Sequence, residues 1–177
     1  MPDILRNDWR PTEVSEDEGL AALAREILDT NFYVTLGTAD GEGKPWVSPV
    51  YFATADHVEI FWVSALDAVH SRNLAVRPEI TMVVFDSTVP PYHGRAVYMS
   101  GVAAPLEGTE LERGVGVYPG APERGASSIE VSDVSGDAPY RLYRATVSEH
   151  SVLCPREPRQ PCPRHSLATD HRATVTL

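Results

Sequence analysis

The chain has 177 residues, with 15 Lys plus Arg against 25 Asp plus Glu and a formal net charge of −10. That length suits one domain, and 42% hydrophobic with 23% charged content is that of an ordinary globular protein. An acidic chain without a basic run is a poor partner for a nucleic-acid backbone, which excludes that class.

The N-terminus, Met-Pro-Asp-Ile-Leu-Arg-Asn-Asp, lacks both a basic n-region and an apolar h-region, so no signal peptide is expected. No apolar run approaches the roughly 20 residues of a membrane-spanning helix, and a cytoplasmic protein with no membrane partner is the expectation. Ser15 is the expected N-cap of the first helix, with Glu16, Asp17 and Glu18 in its first turn and Glu18 completing a capping box. Leu20, Leu23, Ala24, Ile27 and Leu28 then recur at helical spacing, and the helix is predicted to end near Asp29-Thr30.

Strand texture follows. Phe32 to Thr38 is β-branched and aromatic, Ala39 to Lys44 reads as a hairpin loop, and Trp46 to Ala53 forms the return strand. After a turn at Thr54-Ala55-Asp56, His57 to Val63 alternates, with Val58, Ile60 and Trp62 on one face and Glu59, Phe61 and Val63 on the other. A short helix is predicted between about Asp67 and Val76, stopped by Pro78. Ile80 to Phe85 is a nearly continuous apolar run, the pattern of a strand buried on both faces. Arg95 to Ala104 makes a long strand, and Gly108 to Val117 a weak helix.

Residues 119–139 are rich in Gly, Pro and Ser and read as a loop or lid. Tyr140 to Leu153 returns to strand. Cys154 to Pro163 holds four prolines and is expected to run extended along the surface. Thr174 to Leu177 adds one last edge strand. The order predicts a single domain over 1–177, mainly β, an antiparallel barrel with peripheral helices and an extended C-terminal segment, 154–177.

Cys154 and Cys162 are the two cysteines, too few for a disulfide framework, and read as reduced thiols. His165, Asp170 and His171 follow in a polar stretch whose spacing matches no ligand set, so no metal is expected. Gly-x-Ser-x-Gly is absent, as is a Gly-x-Gly-x-x-Gly after a strand.

The chemistry is concentrated in residues 61–101. A strand ending Phe61-Trp62-Val63-Ser64 delivers the chain to a short helix carrying His70-Ser71-Arg72-Asn73. Hydroxyls, a guanidinium and backbone N–H groups near a helix N-terminus form an anion site, with Arg72 as the main charge and His70 as a pH-dependent one. Adjoining strands supply flat apolar surface for a ring system. The competing reading is a solvated helix face. In one regular helix over 67–76, His70 and Asn73 share a side while Arg72 points away.

The order of elements, with Gly-Lys-Pro-Trp-Val-Ser-Pro-Val-Tyr-Phe, Phe-Trp-Val-Ser, His-Ser-Arg-Asn-Leu and Gly-Arg-Ala-Val-Tyr-Met-Ser-Gly, resembles the pyridoxamine 5'-phosphate oxidase-like family. The similarity covers residues 15–106 and, more loosely, 140–153. It implies an FMN-binding split barrel with the flavin held between two subunits, hence a homodimer. It further implies that Trp46, Val47, Ser48, Pro49 and Val50 lie along the isoalloxazine ring, and that Val63 and Ser64 flank the ring and ribityl chain. His70, Ser71 and Arg72 would then meet the phosphate, with Asn73 orienting that turn. Asp86 would end a central strand near the ligand, and Arg95 would reach the flavin across the two-fold. Tyr51 and Tyr98 are the candidates for substrate contact.

The departures from the family pattern bear on activity. Relatives that oxidise pyridoxamine phosphate carry Arg-x-Val-Leu-Leu-Lys where this chain has Trp46 to Tyr51. The single lysine, Lys44, falls two residues before Trp46, outside that position. Vitamin B6 synthesis is therefore not expected. The expected activity is an FMN-dependent oxidoreductase acting on a small organic substrate. The alternatives are a deazaflavin-dependent reductase of the same fold and a non-catalytic flavin- or haem-binding protein.

Overall fold

A computed structural model describes residues 12–15 and 17–177. The leader reading above concerns residues that lie outside this range, as does Glu16. The described elements run β1 (Thr12–Ser15), α1 (Glu18–Thr30), β2 (Tyr33–Ala39), β3 (Pro45–Tyr51), β4 (Ala53–Ala55), β5 (Glu59–Ala65), α2 (Val69–Val76), β6 (Glu79–Phe85), β7 (Ala96–Pro105), α3 (Gly108–Val117), β8 (Tyr140–Leu153) and β9 (Arg172–Val175). Among the described residues, no helix is long and apolar enough to cross a membrane.

The strands form one sheet in the order β1-β9-β8-β7-β6-β2-β3, antiparallel except for the β1–β9 pair. β8 is long enough to change partners. Its first half pairs with β5 and its last residues with β9, so the sheet splits and curls into a split barrel. β3 lies at the end of the main strand order, where Pro45 and Pro49 leave gaps in a ladder that no further strand needs.

Helix α1 begins later than expected. The chain is still extended at Ser15, which pairs with Val175, and Asp17 is the N-cap, its carboxylate accepting from the N–H groups of Gly19 (2.9 Å) and Leu20 (3.3 Å). The expected capping box from Ser15 is thus replaced by a single acidic cap. From there Leu20, Ala24, Ile27 and Leu28 are fully buried against the sheet. They meet Val34, Leu36, Val84, Val97 and Val152 in the main core.

Three further differences from the sequence reading have physical causes. β6 is buried on one face only: Ile80, Met82 and Val84 point inward while Thr81 and Phe85 are exposed. Its apolar run therefore includes an exposed outer face, ending in Phe85. The last strand begins at Arg172 and is no edge, because β1 covers it on the far side. Finally, the proline-rich segment turns inward at its cysteines, and Cys154 and Cys162 are both buried.

Residues 119–139 are packed down. Val134 and the partly buried Ile129 join Phe61, Leu106, Leu111 and Leu142 in a second apolar cluster beneath α3. Arg124 anchors the start of this segment. Its guanidinium donates to the carbonyls of Asp29 (3.0 Å), Asn31 (2.9 Å) and Phe52 (3.0 Å) and to Tyr51 Oη (3.2 Å).

Candidate functional site

A trough runs along the outward face of β2, β3, β6 and β7, where β6 is bare. Its larger part encloses about 920 Å³ and is bordered by Thr38, Trp46, Val47, Thr81, Ser100 and Val102. That size falls in the range of small-molecule sites. The floor is flat at Gly37 because a side chain there would meet Thr81 Oγ1 at 2.6 Å. Trp46, Val47 and Val102 are exposed, an apolar display unusual for a finished surface.

On the other side of β3 from Val47, the strands β3 and β5 and helix α2 converge on His70. The Trp46 indole N–H donates to Ser48 Oγ (2.9 Å). Ser48 Oγ lies 3.1 Å from His70 Nδ1, and His70 Nε2 lies 2.8 Å from Ser64 Oγ. Either neutral tautomer satisfies each group: with Nε2 protonated, Ser48 donates to Nδ1, Nε2–H donates to Ser64 and the Ser64 O–H is left as a donor, and with Nδ1 protonated the directions reverse. Burial holds the His70 imidazole below its ordinary pKa, so the neutral ring is the favoured form.

Behind His70, the buried Asn73 donates to Thr38 Oγ1 (3.1 Å), tying α2 to the end of β2. Ala68, the residue before α2, offers no side-chain cap, so the first-turn N–H groups keep their capacity to bind an acceptor. In that turn Ser71 is 3% exposed, and its hydroxyl has no hydrogen-bond partner. The unpartnered Ser71 hydroxyl thus lies in the uncapped first turn, whose neighbouring residue His70 is held by Ser64. This donor set suits a phosphate monoester, which binds helix N-termini through N–H groups and the helix dipole.

Other residues named from the sequence stand elsewhere. Arg72, expected as the main charge, is exposed and donates to the Asp67 carbonyl of its own loop. The helical geometry separates it from His70 and Asn73. Asp86 and Arg95 lie at the opposite end of β6 from the Thr38 corner, since Thr81 pairs with Gly37 and Val83 with Thr35. Asp86 accepts from the Thr88 N–H and hydroxyl, and Arg95 pairs with Glu26 at 3.0 Å, holding α1 to the sheet. Val63 is half-buried on β5, and Pro49 and Val50 continue β3 away from the Trp46 corner.

Tyr51, expected to meet a substrate, is already engaged. Its hydroxyl donates to the Pro119 carbonyl (2.6 Å) and accepts from Arg124, and its ring packs edge-on against Tyr33 and Tyr118. Tyr98 does border the trough, with the Arg172 guanidinium stacked 3.5 Å above its ring. Thr38, Gly37 and Thr81 were not singled out from the sequence. An ordinary Thr-Leu-Gly-Thr strand carries no signal that its outer side floors a trough.

Comparison with known proteins agrees with this architecture. The family model for pyridoxamine 5'-phosphate oxidase matches residues 20–154. No functionally curated protein matches the chain. Among solved structures, the haem storage protein HutZ from Vibrio cholerae superposes with a TM-score of 0.57 at 22% identity, over 70% of this chain and 87% of that one. A haem-binding protein from Mycobacterium smegmatis gives 0.60 at 22% identity, over 81% of this chain and 55% of its own length. An FAD-binding protein from Mesorhizobium loti gives 0.54 at 19% identity, over 75% and 92%. At these identities the structures speak to the fold alone. The family match spans most of the chain, from the body of α1 through β8, and the chain belongs to the pyridoxamine 5'-phosphate oxidase-like family.

Proposed function

We propose that this protein binds FMN between two copies of the chain and serves as an oxidoreductase for a small organic substrate. The observation that carries this reading is the Ser71 hydroxyl, buried without a partner in the uncapped first turn of α2, beside the Ser64–His70–Ser48 chain. A buried hydroxyl without a partner costs about 1–3 kcal/mol, and a bound phosphate oxygen removes that penalty. When bound, FMN supplies the hydride chemistry, and the protein's part is to hold and orient it.

Ser64, Ser71 and the first N–H groups of α2 would hold the phosphate, with His70 fixing the Ser64 hydroxyl. Trp46 and Val47 would line the ring's path along β3. The grip has no formal positive charge of its own, because Arg72 faces outward and His70 is neutral. This predicts a cofactor that exchanges rather than one held permanently.

The side chains around the trough favour flavin over haem in this reading. Haem iron needs an axial donor such as His, Cys, Met or Tyr. Both His70 nitrogens are already paired, Met82 and Met99 are buried on the inner face, and Tyr98 is covered by Arg172. A second copy of the chain over the bare outer faces of β2, β3, β6 and β7 would bury Val47, Val102 and Phe85 and enclose the cofactor.

The test is the absorption spectrum of protein purified without added cofactor, followed by an FMN fluorescence titration. Flavin bands, or saturable quenching at one FMN per chain, support the reading. A colourless protein that leaves FMN fluorescence unchanged sinks it. Reduction of the bound flavin by a nicotinamide donor, with turnover of an acceptor, separates an enzyme from a carrier.

A further inference from the structure

Between the end of β8 and the start of β9, eighteen residues without regular secondary structure lead the chain from Cys154 to His171. Such a segment in a well-packed position needs something to hold it. Its side chains gather at one point. Cys154 Sγ and Cys162 Sγ lie 3.3 Å apart; His165 Nδ1 is 3.5 Å from the first and 3.6 Å from the second; and His171 Nε2 is 3.0 Å from His165 Nδ1. All four donor atoms lie within 4.8 Å of one another. The sequence reading set the histidines aside because their spacing matches no ligand set, and the fold brings both cysteines to them.

We propose that Cys154, Cys162, His165 and His171 form a structural zinc site. Zinc takes thiolates at about 2.3 Å and imidazole nitrogens at about 2.0–2.1 Å in a tetrahedron. The edges of that tetrahedron are about 3.8 Å for S···S, about 3.6 Å for S···N and about 3.3 Å for N···N, as follows from those bond lengths. The observed S···N spacings of 3.5 and 3.6 Å match their edge and the two nitrogens, at 3.0 Å, are the closest pair, while the two sulfurs at 3.3 Å stand nearer than the ideal edge and must part slightly around an ion.

The surroundings point the same way. His171 Nδ1 lies 3.0 Å from the Thr169 carbonyl and donates its proton there, which leaves Nε2 with a bare lone pair facing the cluster. That is the orienting contact a metal-bound histidine carries. Cys154 and Cys162 are 3% and 1% exposed while the histidines are half-buried, so the site is dry on one side and open to an entering ion on the other. Two thiolates and two neutral imidazoles cancel the charge of a divalent ion, so its burial leaves no net charge. Four protein ligands leave no open position for a substrate, so the site is structural and zinc's lack of redox chemistry is no obstacle.

The staple would join three elements. Cys154 follows β8 directly and its N–H donates to the His171 carbonyl (3.0 Å), His171 directly precedes β9, and Arg164 reaches the α1 cap at Asp17 (2.6 Å). The spacing is Cys-x7-Cys-x2-His-x5-His. It differs from the familiar close cysteine pairs because the strand end and the loop each supply one sulfur.

The test uses the full chain, expressed with added zinc and purified without chelator. Elemental analysis is expected to give one zinc per chain, falling at least tenfold in C162S and in H171A. His171 is half-buried at a loop end, and H171A is expected to keep the wild-type circular dichroism and the same FMN titration. A second measurement does not depend on any variant folding. Cobalt added to the chelator-treated wild type should produce intense tetrahedral visible bands with thiolate charge transfer in the near-ultraviolet, and both thiols should gain protection from alkylation. A chain that retains no zinc after exposure to excess and dialysis, or one found with Cys154 and Cys162 joined as a disulfide, overturns the proposal.

Discussion

His70 stands between two serine hydroxyls, 3.1 Å from Ser48 and 2.8 Å from Ser64, so one imidazole joins β3 to β5. Replacing it by alanine strands both hydroxyls and opens a hole. H70A is expected to cost about 1–3 kcal/mol of stability, and to weaken FMN binding by roughly tenfold because Ser64 loses its orientation. S71A separates holding the ligand from holding the fold. Its hydroxyl has no partner in the protein, so the variant should unfold at the wild-type temperature or above while binding FMN more weakly. Thermal melts and FMN titrations of the two variants check this. Equal losses of stability in both would argue against an anion site at Ser71.

A second expectation concerns pH. His70 and His150 are both held below the ordinary imidazole value, in each case chiefly by burial, with the His57 carbonyl accepting from His150 Nε2 at 2.8 Å. The unfolded chain therefore binds these protons first as pH falls. Stability is complete above about pH 6.5 and declines as pH drops from there toward the folded values. The lowered carboxyls of Asp17, held by Arg164, and Glu59, held by Arg113, lose their contribution only below about pH 4. Melting temperatures across this range should fall in two steps. H150Q should flatten the first and leave the second.

Much of the frame was legible in the sequence because its periodicities are local. The apolar spacing of Leu20, Ala24, Ile27 and Leu28 identifies α1, and Pro78 marks the stop after α2. The order of strands around the hairpin at Asp40–Lys44 follows from turn residues alone. What the sequence could not show depends on contacts far apart in the chain. Ser15 has the right residue type for a cap, yet its pairing with Val175 keeps it extended and passes the cap to Asp17. Ile80 to Phe85 has the composition of a strand covered on both faces, but nothing in the string says that the outer face at Thr81 and Phe85 stays uncovered within the chain. Arg72 and His70 look equivalent in a string and diverge by helical rotation. The Cys154–His171 cluster is closed by a turn that no short motif announces.

Arg124 carries a third prediction. It donates to three carbonyls and to Tyr51 Oη, and its guanidinium lies over the rings of Phe32, Tyr51 and Phe52 at 5.1–5.5 Å. A lysine has the charge but lacks the planar fork that reaches several acceptors at once. Both R124A and R124K should therefore release the 119–139 segment, with a loss of about 2–4 kcal/mol in R124A. Limited proteolysis should show new cleavage between residues 119 and 139 in both. Full protection in R124K would mean that charge alone anchors the loop.

The proposed pairing of two chains is open to direct test at Val47. This residue is exposed on an edge strand at the border of the trough, and no contact within its own chain needs it. In a lone chain, V47D would be nearly neutral, within about 0.5 kcal/mol. In a dimer closed over this face, two buried carboxylates would split the chains. Sedimentation is expected to show a dimer for the wild type and a monomer for V47D, with FMN affinity lost alongside. A wild type that sediments as a monomer while still binding FMN would remove the second chain from the site.

Gly101 provides the sharpest test of the fold itself. It sits where the register between β7 and β8 shifts, one residue past Ser100. A Cβ at this position would lie 2.1 Å from the Thr146 carbonyl oxygen and 3.1 Å from Val147 Cα, so the obstruction is backbone and cannot swing aside. The bulge lets one long β8 serve β7 throughout while handing its other edge from β5 to β9. G101A must push the two central strands apart and is expected to destabilise the protein by more than about 3 kcal/mol, judged from the cost of overpacking against fixed atoms. By contrast, Gly41 in the β2–β3 hairpin loop has nothing within 4 Å of its Cβ position and no positive φ, so G41A should be neutral or slightly stabilising. Urea midpoints of the two variants decide the matter, and a G101A protein as stable as G41A would show that the strands do not meet in this register.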